Sequence, residues 1–253
     1  MAINFRSHDE IEKLRAANQI VVAAHKRLSS ILKPGVSTIS LDREAEKVIR
    51  DMGGIPSFKG YRGFPNTLCV AINDVVVHGI PDKKVVREGD IIGLDLGVEY
   101  QGYFGDAAQT LPVGEISDEA RNLLKVTKEA LMKGIEAIRP GGRLSDISNA
   151  VQTHAENAGY SVVTAFVGHG IGTKPHEDPQ VPNFGPPGRG PVMRNGMVLA
   201  IEPMVNIGGS DVEVLEDNWT VQTIDSALSA HFEHSVAVVD DGYDILSDFG
   251  REK

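Results

Sequence analysis

The chain has 253 residues, of which 41% are hydrophobic and 24% charged, as in an ordinary globular protein with a substantial core. A net charge of -10 and the lack of any lysine or arginine cluster argue against nucleic acid as the main partner. No apolar run reaches the length of a membrane span, no signal peptide is expected, and the single cysteine, Cys69, excludes an internal disulfide framework and fits a reducing cytosol.

The first half of the chain predicts two helices followed by strands. Ser7 and Glu10 have the spacing of a capping box that opens an amphipathic helix, and Pro34 and Gly35 end that helix. The remaining elements predicted in this half are a helix near 40–52 and strands at 68–72, 75–78, 90–98 and 104–110, with a turn around 99–102.

The second half predicts the same order of elements. Ser117 opens a third helix, and the acids Asp118 and Glu119 in its first turn suit the helix dipole. A fourth helix is predicted near 144–158, a loop at 183–191, and strands at 162–167, 197–202, 212–214, 219–223 and 232–239. Each half therefore reads as helix, helix and sheet, which is an α+β arrangement.

The two halves share a sparse pattern at an offset of 106 to 107 positions, which indicates an internal repeat. The matching pairs are Pro34/Pro140, Gly53/Gly159, Arg87/Arg194, Gly89/Gly196 and Asp95/Glu202. We interpret residues 1–253 as a single domain with related halves at about 8–113 and 117–246. A local twofold axis would bring the two acids of the last pair to a shared seam, where a common site is natural.

Four carboxylates and one imidazole lie beside apolar runs or glycine turns: Asp95, Asp106, His169, Glu202 and Glu233. Charged side chains are seldom buried unless they are paired or bind a metal. Carboxylate oxygens with one neutral imidazole suit two divalent metals that share ligands, so convergence of the five would indicate metal-assisted hydrolysis. The alternatives are turn-adjacent aspartates at strand edges for the first two, and structural salt bridges for the two glutamates.

The other histidines are open to structural or functional interpretation. His169 lies between glycines that permit close approach of the backbone to a ligand. Taken alone, His169, His78 and His176 could each be structural or functional. A structural role is expected for His8, His25, His154, His231 and His234. Of these, His25 and His154 are predicted on helix surfaces. His231 and His234 flank Glu233 and could hydrogen-bond to it without binding a metal themselves.

Several segments together resemble the type I methionine aminopeptidases over about residues 5–247: VVVHGIPD, DLG, GYFGDAAQT, GHGIG, HEDPQVPN, MVLAIEPM and ALSAHFEHSVAV. The ordered ligand set is specific to the creatinase/aminopeptidase superfamily. The HGIPD motif and the short interval between His176 and Glu202 favour its type I branch. The resemblance implies a pita-bread fold, in which two pseudo-twofold-related helix-helix-sheet halves place helices over a curved antiparallel sheet.

The resemblance also implies a function, the removal of the N-terminal initiator methionine from nascent proteins and peptides whose second residue is small. One metal would be bound by Asp106, His169, Glu202 and Glu233, and the other by Asp95, Asp106 and Glu233. A hydroxide bridging the metals would attack the scissile carbonyl, and Glu202 would act as general base and then as general acid.

Further roles follow from the same resemblance. His176 would stabilise the oxygen of the tetrahedral intermediate, and His78 would contact the scissile amide nitrogen or position the intermediate. The methionine side chain would lie against aromatic rings and a thiol, which suit a thioether; these belong to Tyr61, Phe64, Cys69 and Trp219. A structural monovalent cation would be held by Asn73, Val75 and Ser229.

Three positions depart from the pattern of the family. Arg62 stands where many members carry a histidine at the mouth of the site, and Pro175 stands where an aromatic residue is common. Phe58 stands where some members have a cysteine. These changes leave the hydrolytic residues intact, but they leave the shape of the pocket and its preference for methionine open.

The expected cofactors are two divalent metal ions per subunit, which could be Co, Mn, Fe, Zn or Ni because this donor set accepts them all. We further expect a cytoplasmic monomer that acts on the N-terminal methionine of nascent polypeptides and has no nucleic-acid or membrane function, and we leave transient ribosome association open. Two alternatives stay open: an aminopeptidase with broader or altered N-terminal preference, and a non-catalytic binding protein on the same scaffold.

Overall fold

The computed structural model describes residues 3–250, and within them it has four α-helices, one 3-10 helix and fifteen strands. The helices are α1 (His8–Ile31), α2 (Thr38–Asp51), α3 (Asp118–Glu136) and α4 (Leu144–Asn157), and the 3-10 helix is Tyr61–Gly63. The strands are β1 (Ile55–Pro56), β2 (Leu68–Ile72), β3 (Val75–Val77), β4 (Ile91–Tyr100), β5 (Tyr103–Pro112), β6 (Ser161–Val162), β7 (Gly168–Gly170), β8 (Glu177–Val181), β9 (Val198–Ile201), β10 (Met204–Asn206), β11 (Val212–Val214), β12 (Val221–Thr223), β13 (Ser229–His231), β14 (His234–Val239) and β15 (Gly242–Ile245).

The helix starts follow from local hydrogen bonds that the sequence predicts. The Ser7 hydroxyl accepts from the Glu10 amide and the Glu10 carboxylate accepts from the Ser7 amide, so the predicted capping box of α1 is confirmed. At α3 the Ser117 hydroxyl accepts from the amide of Ala120.

The sheets are antiparallel throughout. In the first half β4 pairs with β1, β2 and β5, and the β4–β5 hairpin turns at Gln101 and Gly102, both with positive φ. Two successive positive φ angles are the pattern of a type I′ turn, and they lie within the turn predicted around 99–102. In the second half the strand order is β15-β14-β9-β7-β8, with a smaller sheet ordered β13-β10-β6. A third sheet, ordered β11-β12-β3, joins the two halves because β3 belongs to the first.

Each half has its own apolar core. The first lies where α1 and α2 cover β2 and β4, with Leu28, Leu41 and Leu94 fully buried. The second lies where α3 and α4 cover β9 and β14, with Leu123 and Leu199 fully buried. The boundary between the two halves therefore lies between two separate apolar clusters.

Glycines at the repeat positions have matching backbone angles. The φ values of the three pairs are 89° and 87° for Gly35/Gly141, 80° and 86° for Gly53/Gly159, and 91° and 89° for Gly89/Gly196. Only glycine adopts such angles readily, so the repeat reflects a shared turn geometry. These matches support our interpretation of the chain as a single domain built from two related halves.

Some predicted strands differ from those observed. The strand predicted at 162–167 is wrong, because β6 ends at Val162 and β7 begins at Gly168. The strand predicted at 232–239 begins at His234, since the Glu233 amide donates instead to the Ala108 carbonyl of the other half. The short strands β1, β8, β10 and β15 have no clear sequence signal. In the described part of the chain, no helix is long and apolar enough to cross a bilayer.

Candidate metal centre

A cavity of about 830 Å³ opens at the seam and is lined by residues of both halves. The five predicted ligands Asp95, Asp106, His169, Glu202 and Glu233 all line it. So do the predicted substrate residues Tyr61, Phe64, Cys69, His78, His176 and Trp219. The structure thus brings together every residue predicted for the ligands, the proton chemistry and the methionine pocket.

The first half contributes two carboxylates from one face of the β4–β5 hairpin. Asp106 lies opposite Gly97, and Asp95 lies two positions before Gly97 on the same strand. Because side chains alternate along a strand, the two carboxylates project from the same face as diagonal neighbours. Cys69 of β2 lies opposite Asp95 and belongs to that face as well.

The second half contributes three predicted ligands, which lie within or directly beside strands of its largest sheet. His169 is the central residue of β7, Glu202 directly follows β9, and Glu233 directly precedes β14. A Cβ at Gly168 would lie 2.3 Å from the Ala200 carbonyl oxygen. The glycine beside His169 is therefore required by neighbouring backbone, which corrects the expectation that it makes room for a ligand.

The donor atoms converge. One ligand atom each of Asp106, His169 and Glu233 lies within 4.8 Å of the other two, and a Glu202 oxygen lies 3.4 Å from Nε2 of His169. One carboxylate oxygen each of Asp95, Asp106 and Glu233 is buried without a hydrogen-bond partner among the described residues. Buried oxygens without donors are costly, so the residues present fit a group of cations.

The His169 ring is held in the form that binds a metal. Its Nδ1 donates to the Gly170 carbonyl oxygen at 3.0 Å, because a carbonyl can only accept. Nε2 then carries a lone pair that faces the Glu202 carboxylate. Two facing acceptors need a proton or a cation between them. Burial lowers the pKa of His169 to about 3, so the ring itself does not supply that proton.

The electrostatics of the cluster favour a bound cation. Burial raises the pKa of Asp95 to about 7. Burial, and then the neighbouring carboxylates, raise the pKa values of Asp106, Glu202 and Glu233 well above their ordinary range. Close like charges in a dry site repel strongly, and divalent cations remove that repulsion.

His176 and His78 occupy the cavity wall beside the ligands. The His176 ring stacks on Tyr61 with centroids 5.4 Å apart and lies 4.2 Å from the ring of His169. Loss of water around the ring, and then the charge of Arg62, lower the pKa of His176. Burial, followed by the neighbouring His176, lowers the pKa of His78 to about 4, so both rings are neutral near pH 7.

An aromatic and sulfur-containing wall completes the cavity. Phe64 and Trp219 meet edge to face at 5.1 Å between centroids, and the Trp219 ring also faces His78. Burial raises the pKa of the Cys69 thiol well above its ordinary value, so this thiol is an unreactive apolar wall. His78 itself has a left-handed backbone with φ of 62°, a strained conformation that sequence alone does not reveal.

Other histidines fall in unexpected places. His25, predicted on a helix surface, is fully buried, and its Nε2 donates to the Ala107 carbonyl at 2.9 Å. That prediction is wrong because α1 lies across β5, next to Asp106. His231 lines the cavity 3.7 Å from a Glu202 oxygen, whereas His234 turns away to Ser247. Both flank Glu233, so spacing could not distinguish them.

Two hydroxyl groups join the halves at the seam. The Ser235 hydroxyl accepts from the amide of Asp106 at 3.3 Å and donates to its carbonyl at 2.8 Å. The Thr110 hydroxyl likewise accepts from the amide of His231 and donates to its carbonyl, both at 2.9 Å. We call these two contacts the hydroxyl bridges. Together with the backbone bond from the Glu233 amide to the Ala108 carbonyl, they join β5 to the segment 231–235.

We predict that Ser235→Ala lowers the free energy of unfolding by about 1–3 kcal/mol, since it leaves a buried amide and carbonyl unpaired. Peptidase activity should also fall, because the two hydrogen bonds that fix the backbone of Asp106 are lost. Denaturant unfolding measures the change. The matched control is Ser30→Ala, whose exposed hydroxyl bonds only the Arg27 carbonyl and whose loss should change stability by less than about 0.5 kcal/mol. An equal effect of both substitutions would contradict the assignment.

Comparison with known proteins gives the family. The model of metallopeptidase family M24 matches residues 12–240, which is most of the chain. The chain belongs to metallopeptidase family M24. The M24 match spans both halves and includes all five residues of the carboxylate and imidazole cluster.

Relatives within M24 are similar over almost their whole length. The chain is 52% identical to methionine aminopeptidase 1 of Bacillus subtilis over 238 residues, which cover 94% of this chain and 96% of the relative. It is also 52% identical to the methionine aminopeptidase of Clostridium acetobutylicum, covering 97% and 98% of the two chains. The resemblance found in the sequence is thereby confirmed.

Solved structures confirm the pita-bread fold of this M24 member. The methionine aminopeptidase of Rickettsia prowazekii superimposes with a TM-score of 0.97 at 39% identity, covering 98% of this chain and all of the other. Prolidase from Pyrococcus furiosus superimposes with a TM-score of 0.77 at 22% identity, covering 98% of this chain and 66% of that one. The second likeness shows the shared fold alone.

Proposed function

We propose that this M24 member is a methionine aminopeptidase, which removes the N-terminal methionine of nascent proteins and peptides when the second residue is small. The observation that carries the proposal is the position of the unsatisfied carboxylates beside the Phe64–Trp219 wall in a single cavity. The high identity to proteins named methionine aminopeptidase supports it.

The five cluster residues would hold two divalent metal ions. One ion would be bound by Asp106, His169, Glu202 and Glu233, and the other by Asp95, Asp106 and Glu233, with the two shared carboxylates bridging. The convergent donor atoms and the orphaned oxygens support this assignment. Bound there, the ions would supply the Lewis acidity that peptide hydrolysis requires.

Glu202 would move the proton. Its carboxylate lines the cavity beside the other four cluster residues, and a carboxylate next to the attacking water is a suitable general base. It would take a proton from the attacking water and return it to the leaving amine. His231 lies 3.7 Å from one of its oxygens and would help to hold the carboxylate in one orientation.

His176 and His78 would act on the scissile amide. Each ring is neutral near pH 7 and offers one N–H, which is sufficient to stabilise an oxygen or to contact the amide nitrogen. His176 would donate to the oxygen that gains charge, and its stacking on Tyr61 would fix the ring. His78 would contact the nitrogen, while Phe64, Trp219 and Cys69 would enclose the methionine side chain.

We predict that His78→Ala lowers kcat for a Met-Ala peptide by about a hundredfold, since one hydrogen bond to the reacting amide is lost. Both metals should remain bound, because the ring is not a ligand in this assignment. Steady-state kinetics together with metal analysis measure the two effects. His8→Ala, which changes an exposed histidine at the start of α1, is the control. Metal loss in proportion to activity would contradict the assigned role.

The proposed function is tested with three peptides and a metal titration. Met-Ala-Ser, Leu-Ala-Ser and Ala-Pro-Ala are offered to protein loaded in turn with Co, Mn, Fe, Zn or Ni. Clear preference for the first peptide supports the proposal, and equal rates would indicate an aminopeptidase of broader preference. A metal-replete protein that cleaves none of them, yet binds a partner tightly, would be a binding protein on this scaffold.

A monovalent cation would lie beside the site. The Ser229 amide donates to the Asn73 carbonyl, the Ser229 hydroxyl is buried without a partner among residues 3–250, and Asn73 has a left-handed backbone. Carbonyls of Asn73 and Val75 with this hydroxyl would bind the cation.

The proposed substrate also implies a setting. Nascent chains are made in the cytoplasm, so we infer a cytoplasmic enzyme that associates transiently with the ribosome and acts as a monomer.

A further inference from the structure

Arg62 is an uncommitted cation at the mouth of the cavity. Its side chain is exposed and lines the cavity, and it forms no ion pair within residues 3–250. The acidic side chains near Arg62 already have other partners. Glu177 accepts from Arg6 at 2.6 Å and from the amide of Thr173, and Asp178 also has a partner. The charge of Arg62 is therefore available to a molecule that enters the cavity.

The backbone and a ring hold Arg62 in place. It has φ of 49° between the left-handed Gly60 and Gly63, a conformation that is unfavourable for a residue with a side chain. Its guanidinium lies 5.3 Å from the centroid of the Tyr61 ring. Strained backbone of this kind is concentrated at ligand-binding positions.

The position of Arg62 along the substrate follows from its neighbours. Tyr61 stacks on His176, which lies against His169, so these rings connect a buried ligand position with the exposed Arg62. If the N-terminal residue lies beside the metals, the chain beyond the second residue leaves past Arg62. Lys174 also lines this mouth without an ion pair in the described chain, so the exit carries positive charge although the protein is acidic.

We propose that Arg62 binds a carboxylate of the substrate beyond the second residue, and so favours peptides that carry an acid there. The inference rests on the proposed function and deepens it. The carboxylate is either the side chain of the third residue or the free C-terminus of a tripeptide. A planar guanidinium can accept either one with two hydrogen bonds.

The test compares kcat/KM for two matched peptide pairs. Met-Ala-Asp-Ser-amide against Met-Ala-Asn-Ser-amide isolates the side chain, and Met-Ala-Ser against its amide isolates the terminus. In the unaltered enzyme we expect a preference of about two- to fivefold for the acid in at least one pair, the range of an exposed ion pair. Arg62→Gln should reduce that ratio to about one, while added salt should reduce it in the unaltered enzyme.

Two variants separate a specific contact from general charge. Arg43→Gln removes an exposed arginine of α2 outside the cavity and should keep the preference. Lys174→Gln should keep most of it. Equal ratios in the unaltered enzyme and in Arg62→Gln, or a preference abolished by Lys174→Gln alone, would overturn the inference. Failure to cleave any of the four peptides would instead overturn the proposed function. Each readout is a ratio of two kcat/KM values for the same protein sample, so a misfolded fraction lowers both values equally and leaves the ratio unchanged.

Discussion

Asp106→Asn should abolish peptidase activity, with a loss of at least about a thousandfold, since the removed charge belongs to the carboxylate proposed to bind both metals. Asparagine keeps the shape of the side chain, so the β4–β5 hairpin should persist. Hydrolysis of Met-Ala-Ser and metal analysis after equilibrium dialysis measure the two effects. Full metal occupancy in this variant would show that the ligand assignment is wrong.

The same variant should be more stable than the unaltered protein when both are free of metal. The buried acids have higher pKa values in the folded protein than in the unfolded chain. The folded state therefore loses stability as pH rises from the unfolded pKa of each acid to its folded pKa, which is about 7 for Asp95. Removing one acid removes part of that loss, so the gain in Tm should be larger at pH 8 than at pH 5. Asp241→Asn, an exposed acid outside the cluster, is the control.

Glu202→Gln should lower kcat by about 10²–10⁴-fold, because the group that would take and return the proton is lost. Glutamine retains an oxygen for ligation, so more metal should remain bound than in Asp106→Asn. KM for Met-Ala-Ser should change little, since the methionine wall is untouched. Steady-state kinetics on protein of known metal content measure this. The control is Glu156→Gln, an exposed residue of α4. Activity within tenfold of the unaltered enzyme at full metal loading would rule out the proton role.

Local patterns predicted much of the fold. The capping box at Ser7 and Glu10, the tight turn after Tyr100 and the four helices all depend on residues close together in sequence, where propensity and periodicity act directly. The closeness of Asp95 and Asp106 could also be predicted from the sequence, because a hairpin fixes which side chains share a face.

Features that depend on distant contacts could not be predicted. His25 is buried because α1 crosses β5, and its bond to Ala107 joins residues 82 positions apart. The strand break before His234 arises because Glu233 bonds to the other half. Neither the helical spacing of His25 nor the apolar run after Glu233 carries a signal of these contacts. The family resemblance supplied the roles of the residues, whereas spacing alone left surface and structural alternatives open.

The hydroxyl bridges have a consequence for how the protein is made. They join residues 129 and 121 positions apart, so Asp106 leaves the ribosome long before Ser235 exists. Contacts between such distant residues form late, because the intervening chain must first be ordered. We therefore expect the metal-binding cluster to be complete only at the last stage of folding, after the helices and hairpins of both halves have formed. A metal bound at that stage would slow unfolding rather than speed folding, and we expect loading to protect the finished protein from degradation.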